Sequence, residues 1–294
     1  LETFQSRTVV DDLIFPEGIR WHQDKIWFSD ILDFKVYSHD PVTGRTEVVA
    51  ETEDRPSGLG FLPDGSLLIA TMGGRTLLRR DPDGLKLVAD LKGICMLLND
   101  MVVDAKGRAY VDAYFDGLGS PDMTKTARGG IVLVEPDGSY RIVVDDMKLP
   151  NGLAITEDGR TMVACDYVAG TLVTFDIAAN GSLSNRRLFA DFGSASPDGM
   201  CLDAEGAAWV SFPEQGRFRR ILSGGTVTHE IAYKGKSAIA LVLGGRDRRS
   251  LYLCTAEMDA EIGIVMRKGR AARPHCKGRI EIVDGIKTPG AGRP

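Results

Sequence analysis

The sequence predicts an all-β protein, a single six-bladed β-propeller domain spanning residues 1–294 with a metal site at the mouth of its central channel. Three observations predict the propeller. One template recurs along the chain, its copies are spaced like propeller blades, and short alternating apolar runs are separated by Asp-Gly and Asn-Gly turn signals.

The template is Pro or Leu, a polar residue, Gly or Asp, an alternating run, a turn, then a second alternating run. Its copies are "PEGIRWHQDKIWFSDI" from Pro16, "PSGLGFLPDGSLLIAT" from Pro56, "LNDMVVDAKGRAYVDA" from Leu98, "PNGLAITEDGRTMVAC" from Pro150 and "PDGMCLDAEGAAWVSF" from Pro197. In the last four, the turn glycine (Gly65, Gly107, Gly159, Gly206) follows the third template position (Gly58, Asp100, Gly152, Gly199) by seven residues, which fixes the alignment. A degenerate sixth copy, "AIALVLGGRDRRSLYLCTA" from Ala238, keeps both runs and lengthens the turn. Third positions fall at 18, 58, 100, 152, 199 and 240, giving intervals of 40, 42, 52, 47 and 41 residues, the length of a four-stranded blade. Each copy continues into two more alternating segments, as in "TLLRRDPDGLKLVADL". The N-terminal "SRTVVDDLI" precedes the first copy and is expected to pair beside "RIEIVDGI" (279–286), closing the ring and removing a free sheet edge. No helix longer than a turn or two is expected.

Composition excludes several classes. A net charge of −5 argues against a nucleic-acid partner, because phosphate binding needs clustered cations. The basic run "RKGRAARP" (Arg267 to Pro274) reads as a solvated loop. No stretch of 18 apolar residues exists, so no membrane partner is expected. The five cysteines (Cys95, Cys165, Cys201, Cys254, Cys276) are odd in number and show no CxxC spacing, which reads as reduced buried thiols in a cytoplasmic setting. Gly-x-Ser-x-Gly, P-loop and dinucleotide fingerprints are absent, disfavouring covalent serine catalysis and nucleotide chemistry. The expected state is a monomer or small homo-oligomer.

Innermost propeller strands line the channel, so one template position repeated across blades forms a ring around the axis. The polar second position reads Glu17, Ser57, Asn99, Asn151, Asp198 and Ile239. Any one of these polar residues, read alone, is a strand-start cap. Two carboxylates and two amides in one alignment instead form a set of hard oxygen donors, which suits Ca2+, Mg2+ or Mn2+ better than tetrahedral Zn2+. Glu17 beside Asp198 without a cation would be costly. Loops following the second strand of each blade return to the same face. They bring Met72, Tyr114, Tyr167 and Phe212 forward as candidate substrate contacts, together with Ser57. The loop from Ala113 to Gly130 accounts for the longest interval and is a candidate lid.

At "FPEGIRW", "LLNDMVVDAKGRAYV", "LPNGLAITEDGRTMV" and "SPDGMCLDAEGAAWV" the sequence resembles the SMP-30/gluconolactonase/LRE-like family of regucalcin and sugar lactonases, and more distantly the diisopropyl-fluorophosphatase type. The resemblance implies one divalent ion, most simply Ca2+ with Zn2+, Mn2+, Mg2+ and Fe2+ as alternatives. It implies Glu17, Asn151 and Asp198 as ligands, Asn99 as ligand or substrate contact, and Asp100 as a pocket aspartate. Sugar lactonases of the family carry an Arg two residues before the Asn-Asp pair; here that position is Leu97, a substrate-contact position that cannot hydrogen-bond a polyol. The expectation is metal-dependent hydrolysis of a small-molecule lactone or ester less polar than an aldonolactone, with Asp198 as the catalytic carboxylate. Alternatives are phosphotriester or fluorophosphate hydrolysis at the same site, and a non-enzymatic calcium-binding or interaction propeller.

Overall fold

A computed structural model describes residues 1–293. Six antiparallel sheets surround one axis. Their innermost strands are Pro16–His22, Pro56–Phe61, Leu97–Val103, Pro150–Ile155, Met200–Asp203 and Ser237–Gly244, taken as blades 1 to 6. In blades 1 to 5 the next three strands follow in chain order. Blade 6 takes its outermost strand from the other end of the chain: Arg7–Leu13 pairs antiparallel with Cys276–Val283, as expected. Blade faces bury apolar side chains against each other, for example Leu68, Met101, Val111 and Val132 between blades 2 and 3. Val163, Leu172, Leu202 and Val210 do the same between blades 4 and 5. All five cysteines are free and buried.

The template's second and third positions coincide with a β-bulge. Ladder registers slip between Glu17 and Arg20, Pro56 and Leu59, Leu98 and Met101, Pro150 and Leu153, and Ala238 and Ala240. A bulge lifts residues out of the ladder and re-aims their side chains. In blade 5 the regular strand starts at Met200, and Asp198 is held just before it by its N–H to Ser211 O at 3.0 Å.

Third-position glycines let these bulges meet. A Cβ on Gly18 would lie 2.3 Å from Ser57 O, on Gly58 2.6 Å from Asp100 Cα, on Gly152 2.6 Å from Asp198 O, and on Gly199 2.8 Å from Ala240 Cα. Each glycine thus sits against the backbone of the next blade's second or third template position, a close approach that a side chain would block.

Three features depart from the expected picture. The chain end forms a short strand, Gly290–Ala291, on the inner edge of blade 5, and Arg293 exchanges both backbone hydrogen bonds with Ile155 of blade 4. The tail therefore crosses the channel mouth opposite the ring. Residues Ile262–Lys268 form a helix that runs into a 3-10 segment, Gly269–His275. The basic run is thus helical and packed rather than a solvated loop: Ala272 is buried, Arg270 Nε donates to Asp33 O at 3.0 Å, and Arg273 pairs with Asp12 at 2.7 Å. The long third loop is a hairpin extension, with Tyr114 opposite Gly129 and Asp116 opposite Arg128, tipped by a helical turn at Met123–Thr126. Among the described residues no helix is long and apolar enough to cross a membrane.

Gly58→Ala is expected to cost about 1–3 kcal/mol through overpacking against the Asp100 backbone. Gly93→Ala, at a site with nothing within 4 Å of the added carbon, should cost nothing measurable. Urea denaturation of the two variants checks both.

Candidate metal centre

Three of the six ring residues are tied by side-chain hydrogen bonds across blade boundaries. Ser57 Oγ donates to Asn99 Oδ1 at 3.0 Å, and Asn99 Nδ2 donates to Asn151 Oδ1 at 3.1 Å. Asp198 is buried at the next ring position, beside Asn151. Two backbone donors complete the local bonding: Gly18 N–H reaches Glu17 Oε2 at 2.7 Å and Gly152 N–H reaches Asn151 Oδ1 at 2.9 Å. Ile239 closes the circle as a fully buried apolar side chain.

Beneath the ring lies a charged floor. Arg20, on the innermost strand of blade 1, is buried and donates to Asp100 Oδ1 at 2.6 Å, to Met101 O at 2.6 Å and to Leu59 O at 2.8 Å. Asp100 Oδ1 also accepts the Met101 N–H at 2.8 Å. Asp112, on the second strand of blade 3, is fully buried; its Oδ1 accepts the Asp100 N–H at 2.8 Å, and its Oδ2 has no hydrogen-bond partner. Four carboxyl groups, Glu17, Asp100, Asp112 and Asp198, therefore share this space with one guanidinium.

That imbalance shows in their acidity. Burial and the Asp100 charge push Glu17 up to about 7, against the opposing pull of the Gly18 N–H and Arg20. Burial, followed by the charges of Glu17, Glu214 and Asp100, holds Asp198 well above the usual carboxylate range. Asp112 is raised likewise, by burial first and Asp100 second. A divalent cation inverts this tendency, because its charge favours the ionised carboxylates. Among the described residues no three His, Cys, Asp or Glu side chains form a ligating cluster, so the donor set is two carboxylates and two amides. Such a set fits a hard, oxygen-seeking ion.

The candidate substrate contacts divide. Ser57 is buried within the hydrogen-bonded ring. Asp100 belongs to the floor, with its Oδ1 engaged by Arg20. Leu97 is half-buried, pairs across the strands with Tyr114, and packs on the apolar cluster that contains Met72, Ile31 and Val265. Burial raises the Tyr114 phenol well above its ordinary value. The Tyr167 hydroxyl meets Glu214 at the rim. Phe212 does not join them: it is 1% exposed, packs edge-on against Phe192 in the core between blades 4 and 5, and offers no surface to a ligand. Arg20, Asp112 and Glu214 are the additions. Arg20 and Asp112 carried a legible signal, each being a lone charge in an otherwise apolar alternating run. Glu214 sits on a 3-10 turn, Pro213–Gln215, and carried none.

Comparison with known proteins gives consistent results. The model of the SMP-30/gluconolactonase/LRE-like region matches residues 15–257. The pentonolactonase XacC of Haloferax volcanii is 28% identical over 250 residues, covering 83% of this chain and 82% of that protein. Regucalcin of Danio rerio is 33% identical over 170 residues, covering 55% of this chain and 56% of that protein. Among solved structures, the calcium-binding protein regucalcin of Agrobacterium tumefaciens superposes with a TM-score of 0.80 at 22% identity, over 100% of this chain and 97% of that one. A gluconolactonase of Xanthomonas campestris superposes with a TM-score of 0.72 at 22% identity, over 94% and 89% of the two chains. These structural matches share the fold.

The carboxyl cluster sets the pH response of the metal-free protein. Glu17 is raised from 4.5 to about 7, so the folded state holds a proton that the unfolded state releases. Its contribution to stability is full below the unfolded value and is lost as pH rises through about 7. Thermal melts in chelator are expected to show a falling midpoint over that window, and Glu17→Gln is expected to flatten the fall. Asp81 and Asp176, each lowered to about 2 by hydrogen bonds from arginine, act in the opposite sense and only at more acid pH.

Proposed function

The chain belongs to the SMP-30/gluconolactonase/LRE-like family, and we propose that it is a divalent-metal-dependent hydrolase that opens a lactone or related ester less polar than an aldonolactone. The observation that carries this reading is the cluster of four carboxyl groups, half-buried Glu17 and buried Asp198 within the ring and buried Asp100 and Asp112 beneath it, opposed by one guanidinium. Glu17, Asn99, Asn151 and Asp198 would hold the ion. Ca2+ is favoured because every donor is a hard oxygen; Mg2+, Mn2+, Fe2+ and Zn2+ are the competitors. The buried unpaired thiols support a reducing, cytoplasmic setting.

The bound ion supplies Lewis acidity toward the acyl oxygen and the charge that keeps the surrounding carboxylates ionised. The remaining work falls to side chains. Asp198, anchored through its backbone N–H to Ser211 O, accepts a proton from the attacking water as its oxygen bonds to the acyl carbon. When the ring C–O bond breaks, the protonated Asp198 returns that proton to the leaving alkoxide, so the product is a hydroxy acid and the enzyme is restored. Asn99, fixed between Ser57 and Asn151, keeps its amide from turning. Arg20 pairs with Asp100 at 2.6 Å and fixes its carboxyl in place. Leu97 and Met72 present an apolar flank, against which a polyol would leave hydroxyls unpaired at about 1–3 kcal/mol each. That penalty is what directs the substrate class.

Hydrolysis of a panel of apolar and sugar lactones by metal-stripped protein, reconstituted with single ions, tests the reading. Asp198→Asn is expected to lower kcat by about 10²- to 10⁴-fold, the usual worth of a general base. Leu97→Arg is expected to shift kcat/KM toward aldonolactones. Full metal-dependent turnover by Asp198→Asn would remove Asp198 from its role. Tight ion binding with no turnover of any lactone would favour the calcium-binding propeller.

A further inference from the structure

The channel is bipolar. Its carboxylates gather at the ring, whereas the opposite mouth opens into a cavity of about 240 Å3 lined by Arg20, Arg248, Arg293 and His22 beside Trp21 and Phe61. Topology places this cavity at the far end: His22, Phe61 and Val103 end their innermost strands, and Arg248 lies in the hairpin after Ser237–Gly244. Among the described residues no carboxylate lines it. Of the three guanidiniums, Arg20 is occupied by Asp100 and backbone carbonyls. Arg248 Nε and His22 Nε2 are buried without a hydrogen-bond partner among the described residues, and Arg293 makes a single contact, at 3.3 Å, to Val103 O.

The chain is built to keep Arg248 there. A Cβ on Gly290 of the terminal strand would lie 2.6 Å from Leu243 Cβ and 3.1 Å from Arg248 Nε and Nη2, so a side chain at 290 would crowd the guanidinium. The Arg293 backbone is pinned to Ile155 by two hydrogen bonds of 2.8 Å. Two guanidiniums carried by different blades and the tail thus face one space in a protein whose net charge is −5. Arg248 is half-buried and Arg293 exposed, and the fork geometry of arginine matches tetrahedral oxyanions. The volume holds roughly eight waters at about 30 Å3 each, ample for such an ion with part of its hydration shell.

We propose that this mouth is a binding site for a small tetrahedral oxyanion, with inorganic phosphate as its simplest occupant, gripped by Arg248 and Arg293 and bridging the chain terminus to the blades. The site is independent of the hydrolase reading. It needs neither the ring nor its metal.

Isothermal titration of inorganic phosphate into metal-free protein, with sodium chloride holding ionic strength constant, tests it. Expected are saturable binding at one site per chain, a loss of at least about tenfold in affinity in Arg248→Gln, and a similar loss in Arg293→Gln. Arg293 is exposed and its side chain makes one contact, so its variant keeps the test valid if Arg248→Gln fails to fold. Exposed Arg246, in the same hairpin, is the control and its Gln variant should bind as the parent does. Phosphate binding that persists in Asp198→Asn would set this site apart from the metal centre. Absence of saturable binding in the parent, or affinity unchanged in both arginine variants, would overturn the proposal.

Discussion

The whole arrangement depends on how closely the innermost strands approach one another. Gly18, Gly58, Gly152 and Gly199 each press bare Cα atoms against the second or third template position of the neighbouring blade, at distances no Cβ tolerates. Because the same segments are bulged, closing the ring of blades and aiming the polar side chains inward are one event. Blade 3 is the informative exception. Its third position is Asp100, and the carboxylate that replaces a hydrogen atom there is absorbed by Arg20 from blade 1, an ion pair buried at 2.6 Å.

That geometry concentrates charge where water is scarce. Breaking a buried pair such as Arg20 with Asp100 is expected to cost about 3–5 kcal/mol, since it leaves one charge uncompensated. Glu17, Asp198 and Asp112 have no guanidinium of their own, and their raised proton affinities express that deficit. A site destabilised until a cation arrives is a common compromise between stability and function. The same channel carries unpaired arginines at its other end, so the two mouths favour ions of opposite sign.

The propeller is legible in the sequence because blades repeat a period, and the ring because the repeat has a register. Asp198 shows what the register adds: locally it belongs to a Pro-Asp-Gly turn, and only its alignment with Glu17, Asn99 and Asn151 lifts it into the channel. Other features escape for physical reasons. Arg20 and Asp112 stand out as lone charges in apolar runs, but their meeting with Asp100 depends on the bulges of blades 1 and 3, which alternation does not show. The helix at Ile262–Lys268 is short and stabilised by packing of Val265 rather than by propensity. Phe212 stands next to the ring-face loops in sequence, but burial against Phe192 decides its direction. The crossing of the far mouth by Gly290–Ala291 rests on two-residue pairings that leave no periodic trace.

Crystals soaked in Mn2+ and measured at the manganese absorption edge test the central claim most directly. One anomalous peak per chain is predicted within bonding distance of the side-chain oxygens of Glu17, Asn151 and Asp198, with Asn99 adjoining. A peak elsewhere, or none at a concentration that saturates binding in solution, would contradict the account.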